Sequence, residues 1–293
     1  MGKLIRGIIP PGMTPFFDDE IDYGAFREHI RWLFSKNVAG VSVGGSGGEG
    51  HTLSEDELEK LLKIAVAEAG DRIIVAGIIR DSTRDVLPYA KAAEQAGADY
   101  LMITPIHYFR PNDEAHYAFF KGINDAVSIP IIVYNVVPTA VITPECMKRL
   151  ATLPRVRAIK QSGGDMHALA DMLQDLPEGF PVMSAIDNLL YPSYVMGACG
   201  AIAAINTVLP ELSQEQFEAV QQGNHEKALD NHNKMLRVWR ALRGRDRFNM
   251  PAKFKAALRL RGQNVGTPRS PLHPISRSEE LAIKEALSEA GAI

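Results

Sequence analysis

The chain has 293 residues, 46% of them hydrophobic and 23% charged, with a formal net charge of −3. This is a soluble globular composition of one large domain, or one domain with a small appendage. It lacks the basic excess of a nucleic-acid binder and any apolar run long enough to span a membrane. The N-terminal MGKLIRGIIPPGMTPF has an apolar patch broken by two prolines, unlike a signal peptide, and Cys146 and Cys199 form no CxxC pattern. A cytoplasmic location with both thiols buried as small hydrophobes is expected.

Eight short apolar runs follow in order: Gly7–Pro10, Gly40–Gly44, Arg72–Ile78, Tyr100–Thr104, Pro130–Asn135, Val156–Gln161, Pro181–Ala185 and Gly200–Ile205. Each is bounded by Gly, Pro or polar residues and reads as a strand. The segments between them read as helices. Ser54-Glu55-Asp56-Glu57 opens one as a capping box, Asp81-Ser82 and Thr143-Pro144-Glu145 open others, and Gly70, Gly97 and Gly197 stop three. Apolar strands alternating with helices predict a parallel sheet covered by helices. Eight such units predict a (β/α)₈ TIM barrel over residues 1–207. An open doubly wound sheet is disfavoured, because no GxGxxG or Walker-type loop is present. From residue 208 to 293 the pattern is helical, with helices at 211–223, 225–243, 250–261 and 277–290 and a Pro-rich stretch before the last.

Barrel chemistry sits at the C-terminal ends of the strands, and there the sixth strand carries Lys160. A lysine in an apolar strand usually ends in solvent. Inside a closed barrel its amine is instead placed to attack a ketone and form a Schiff base. Alternation along the fifth and sixth strands can point Tyr134 and Lys160 into the same interior, pairing a phenol with an amine for proton transfer. Tyr134 reads equally as a core aromatic with a satisfied hydroxyl. Gly44-Gly45-Ser46-Gly47-Gly48-Glu49-Gly50 has the glycine density to turn backbone N–H groups toward an anion, although such a turn is more often only a tight connection. With no Lys or Arg in the loop, a monocarboxylate suits it better than a polyphosphate. Glu49 is expected to tie the loop to a neighbouring element. His107, Tyr108 and Phe109 form an aromatic loop after the fourth strand that suits packing, an interface or a site. No HxH or HExxH motif occurs and the eight histidines are scattered, so no metal is expected.

The chain resembles, nearly end to end, the dihydrodipicolinate synthase / N-acetylneuraminate lyase family of class I pyruvate aldolases. Gly44-Gly45-Ser46-Gly47-Gly48-Glu49 looks like that family's GGSTGE or GTTGE loop, Tyr134-Asn135 its strand-5 YN, and Ile159-Lys160 with Gly164-Asp165 its IK-x-x-x-G-D. The resemblance implies that Lys160 forms an imine with the C2 ketone of pyruvate or another 2-keto acid, with no dissociable cofactor. It implies Tyr134 as general acid/base, Ser46 and the Gly47 backbone as carboxylate ligands, and Ile202 as a pocket-lining residue. Tyr108 matches the tyrosine that reaches into a neighbouring subunit, implying a homo-oligomer, dimer or tetramer.

Three departures bear on the second substrate, an aldehyde in such enzymes. In the lysine-biosynthetic synthases an arginine follows the YN and binds the second substrate's carboxylate; here the segment runs Val136-Val137-Pro138-Thr139-Ala140, without a base. Gly47 stands where a threonine helps link two tyrosines, and His107 stands where a tyrosine is common; His107 and Thr139 are thereby candidates for contact with the second substrate, with surface packing the other reading of His107. The expected activity is therefore aldol cleavage or dehydration of a 2-keto(-3-deoxy) acid, sugar-derived or aromatic. Condensation of pyruvate with aspartate semialdehyde is the disfavoured alternative. A non-catalytic 2-keto-acid-binding barrel and a metal-dependent aldolase stand further off.

Overall fold

In the computed structural model, which describes residues 3–163, 165–244 and 249–293, the eight strands are β1 (Gly7–Ile8), β2 (Gly40–Val43), β3 (Ile73–Ile78), β4 (Tyr100–Ile103), β5 (Ile131–Asn135), β6 (Val156–Gln161), β7 (Val182–Ser184) and β8 (Gly200–Ala201). All are parallel, in the order β1-β8-β7-β6-β5-β4-β3-β2. A bridge from Pro11 to Ser42 joins the two ends. It is supported by the amides of Ala39, Ser42 and Gly12, which donate to the carbonyls of Ile8, Pro10 and Ser42 at 2.9, 3.0 and 2.8 Å. The expected barrel is the observed one. At the β8–β1 seam a side chain at Gly200 would place its Cβ 2.1 Å from the Gly7 carbonyl oxygen, so only glycine lets the strands approach.

Only β6 keeps the full length of its apolar run; β2 to β5 lose one terminal residue each, β7 loses one at each end, and β1 and β8 are cut back at their C-terminal ends. β1 stops at Ile8 rather than Pro10, because Pro10 and Pro11 have no N–H for a ladder. β8 stops at Ala201 rather than Ile205, because the chain turns into a short helix, Ile205–Val208. An apolar run does not by itself distinguish strand from helix. A two-stranded hairpin, Phe16–Phe17 with Glu20–Ile21, was absent from the sequence reading. Its turn residues Asp18 and Asp19 both have positive φ (49° and 64°), the primed-turn geometry that Asp tolerates.

The helices obey their caps. Glu55–Ala69 starts on the Ser54/Glu57 capping box, while Ser82 and Thr143 cap Thr83–Ala96 and Pro144–Leu150. Gly70, Gly97 and Gly197 end three helices as expected. Helix Pro210–Gln221 packs against β1 as the last of the outer ring, and Leu209 lies between it and helix Ile205–Val208. Beyond it His225–Arg243, Met250–Leu260 and Arg277–Glu289 pack on one another, each within a residue or two of its predicted bounds.

Two apolar cores result. The larger lies between strands and helices. The smaller fills the barrel with inward-facing residues two apart: Ile73 and Val75 on β3, Tyr100 and Met102 on β4, Ile132 and Tyr134 on β5, then Ala158, Met183 and Ile202. Lys160 follows Ala158 by two and therefore stands at the top of this stack. Cys146 is buried and Cys199 half-buried, neither in a disulfide, and burial pushes the thiols up to about 12 and about 11. Among the described residues no helix is long and apolar enough to cross a membrane.

Candidate active site

Neighbouring strands set the geometry of the pair. Tyr134 and Lys160 are register partners across β5 and β6, both 4% exposed. The Lys160 amine lies 3.7 Å from the centre of the Tyr134 ring. The Tyr134 hydroxyl is 3.1 Å from Ser46 Oγ, so the loop after β2 and the end of β5 meet at one hydroxyl pair. Asn135, next to Tyr134, points the other way. Its amide donates to the Ile142 carbonyl (2.9 Å) and to Gln161 (2.7 Å), and it accepts from the Ile142 amide, fixing the loop after β5.

The Gly44–Gly50 loop closes tightly on itself. The amides of Glu49 and Gly50 donate to the carbonyls of Ser46 and Gly45, and Thr14 Oγ1 donates to the Gly48 carbonyl at 2.7 Å. A Cβ at Gly50 would fall 1.6 Å from the Gly44 oxygen. Glu49, fully buried, ties the loop to the helical region as the sequence suggested. One carboxylate oxygen accepts from Lys255 Nζ at 2.7 Å and the other from the Arg269 amide at 2.9 Å. Lys255 also donates to the Thr267 carbonyl and lies over the Phe16 ring. Burial pushes its amine down to about 8, against the pull of Glu49.

Above these groups opens a cavity of about 690 Å³. Lys160, Tyr134, Ser46, Gly47 and Ile202 all line it, so five of the residues singled out from sequence are brought together. His107, Tyr108 and Thr139 do not line it. Asp81 accepts from the amides of His107 and Tyr108 and holds their loop outward. Tyr108 and Phe109 are 79% and 78% exposed, packed edge to face against each other. Thr139 is exposed beyond Val136. Gly164 lies outside the described residues; Asp165 caps helix Met166–Asp175 by accepting from the amides of His167 and Ala168.

The sequence reading missed Asp187, which follows β7 and lines the cavity. Burial pushes its carboxyl up to about 6, although the Ile205 amide that Oδ1 accepts (2.7 Å) and the charge of Lys160 pull it down. A carboxyl whose folded value lies above its unfolded one costs nothing below about pH 4. It costs progressively more as the pH rises through 6, up to about 3 kcal/mol. Asp187→Asn keeps an acceptor for Ile205. It should match the wild type in thermal stability near pH 4 and exceed it at pH 7–8. A stability gap that does not vary with pH would contradict this. The reading also missed Trp239, Arg243 and Phe254, which reach the cavity mouth from the helical region.

A parallel barrel with a buried lysine at the end of one strand, a tyrosine ring beside it and a roomy cavity above is the architecture of a class I aldolase. The family described as the dihydrodipicolinate synthetase family matches residues 4–290. The 4-hydroxy-tetrahydrodipicolinate synthase of Bradyrhizobium diazoefficiens is 33% identical over 98% of this chain and 97% of its own length; that of Archaeoglobus fulgidus is 33% identical over 97% and 98%. The crystal structure of dihydrodipicolinate synthase from Aquifex aeolicus superposes with a TM-score of 0.91, at 28% identity, covering 98% of this chain and 99% of that one. The chain belongs to the dihydrodipicolinate synthetase family. It is an enzyme, a lyase of the Schiff-base type acting on pyruvate or a related 2-keto acid.

Proposed function

We propose that Lys160 carries the imine and that the enzyme cleaves or dehydrates a 2-keto(-3-deoxy) acid. The observation that carries this is the Lys160–Tyr134–Ser46 cluster, gathered from three chain segments at the floor of one cavity. The Lys160 amine adds to the C2 ketone, and loss of water leaves the protonated imine. In cleavage, the proton of the C4 hydroxyl leaves to a base, the C3–C4 bond breaks, and its electron pair passes into the imine as an enamine. The aldehyde departs; protonation at C3 and hydrolysis release the keto acid. Tyr134 carries protons in these steps, with Ser46 as its partner. The Ser46 hydroxyl and the Gly47 amide hold the C1 carboxylate, and because the protonated imine serves as the electron sink the chemistry calls on no metal. Incubation with pyruvate and borohydride should fix a pyruvate-sized mass on Lys160.

Synthase activity with aspartate semialdehyde is the second reading, favoured by the names of the relatives at 33% identity. Against it, the segment after Tyr134-Asn135 offers no base to that substrate's carboxylate, a pairing that contributes several kcal/mol when partly buried, roughly. Turnover of aspartate semialdehyde at the rate of a true synthase would decide for this reading.

We further propose that the exposed Tyr108–Phe109 pair is covered by a second copy of the chain, so that Tyr108 reaches a neighbour's cavity. Two large aromatics nearly fully exposed on a tethered loop are an unusual cost for a lone protomer. Sedimentation should show at least a dimer, and an active monomer would remove Tyr108 from the catalytic set.

A further inference from the structure

The cavity is far larger than pyruvate needs, and part of its lining comes from the helical region beyond the barrel. At about 690 Å³ it falls in the range that takes ligands of drug size. Trp239 and Phe254, from helices His225–Arg243 and Met250–Leu260, lie nearly parallel at the mouth, their rings 24° apart in tilt with centroids separated by 6.5 Å. Met250 and Leu272 extend the same apolar surface. Four residues on from Trp239, and so on the same helix face, exposed Arg243 lines the mouth and forms no ion pair with any described residue. Among the described lining residues the only carboxylate is Asp187, on the loop after β7, where the Ile205 amide holds it. Among the described residues Arg243 is thus a cation with no anion of its own, at the rim of an aromatic wall.

We infer that this wall binds the distal part of the substrate: a flat aryl group attached at C4 of the keto acid and bearing a carboxylate that pairs with Arg243. The assignment rests on the Lys160 imine, which fixes the other end of the molecule. A sugar-derived chain reaching this wall would set hydroxyls against indole, phenyl and aliphatic groups, at a cost for each one desolvated, since the polar lining residues His51, Ser162 and Asn188 belong to the barrel loops and not to the wall. An aryl group buries its faces there, and a guanidinium takes a carboxylate in a two-pronged pair.

The test compares condensation of pyruvate with para-carboxybenzaldehyde, benzaldehyde and glyceraldehyde, with borohydride trapping of pyruvate in parallel. The wild type should favour the carboxylated aldehyde over benzaldehyde by about two- to fivefold in kcat/KM, mainly through KM, as suits a guanidinium at a solvated rim. Arg243→Gln should erase that preference and Arg243→Lys keep part of it. Trp239→Leu should slow both aryl aldehydes about tenfold or more relative to glyceraldehyde. All variants should still trap pyruvate. Glyceraldehyde as the best acceptor, or a carboxylate preference that survives Arg243→Gln, overturns the inference while leaving the imine intact. Failure of the wild type to trap pyruvate overturns the imine assignment and this inference with it.

Discussion

Lys160→Ala is expected to lose borohydride capture of pyruvate altogether and to lower turnover roughly 10³- to 10⁶-fold, the scale seen when a covalent nucleophile is removed. The size follows from position. Lys160 is 4% exposed, between Tyr134 on β5 and Met183 on β7, and no second lysine lines the cavity among the described residues. Tyr134→Phe should behave differently. It leaves the amine in place but removes the hydroxyl 3.1 Å from Ser46, so the adduct should still form, more slowly, with turnover down about 10²- to 10⁴-fold. The contrast separates an electrophile-binding amine from a proton carrier. Retained turnover in Lys160→Ala would move the chemistry elsewhere.

The second large effect concerns stability. Glu49 and Lys255 are both 0% exposed and 2.7 Å apart, and removing one leaves the other charge buried without its counterpart. Such a loss costs about 3–5 kcal/mol. Glu49→Ala and Lys255→Met should each lower the urea midpoint accordingly, whereas Glu49→Leu combined with Lys255→Met should recover much of the loss. The recovery should be incomplete, because the Arg269 amide also donates to Glu49 and the Thr267 carbonyl also accepts from Lys255. A single variant that loses less than about 1 kcal/mol would show that water reaches the pair.

Much of the barrel could be read from the chain because each strand is a short apolar run with punctuation at both ends. Tyr134 and Lys160 were legible for a further reason: period-two alternation on adjacent parallel strands puts both on the inner face. Glu49 was legible as a tie, since an acid closing a glycine loop must find a partner, though not that its partner is Lys255 on a helix 206 residues away. The limits were local at β8, where an apolar run serves strand and helix alike, and at the Asp18-Asp19 hairpin, a weaker signal than Asn-Gly. At the cavity mouth they were global. Trp239, Arg243 and Phe254 follow ordinary amphipathic spacing, and nothing in their segments shows which helix face looks onto the barrel. Asp187 sits among apolar residues as an unremarkable loop acid until the fold places it near Lys160.

Helix Met250–Leu260 places Phe254 on the cavity and Lys255 under the glycine loop in consecutive positions. The segment that dresses the pocket is therefore also the one that braces its floor. A lineage trading one substrate for another can redraw Trp239 or Arg243 freely. At Met250–Leu260 it must rewrite one residue while holding its neighbour fixed. Grafting this helix between such barrels would succeed as a transplant only when the acid–lysine tie travels with it.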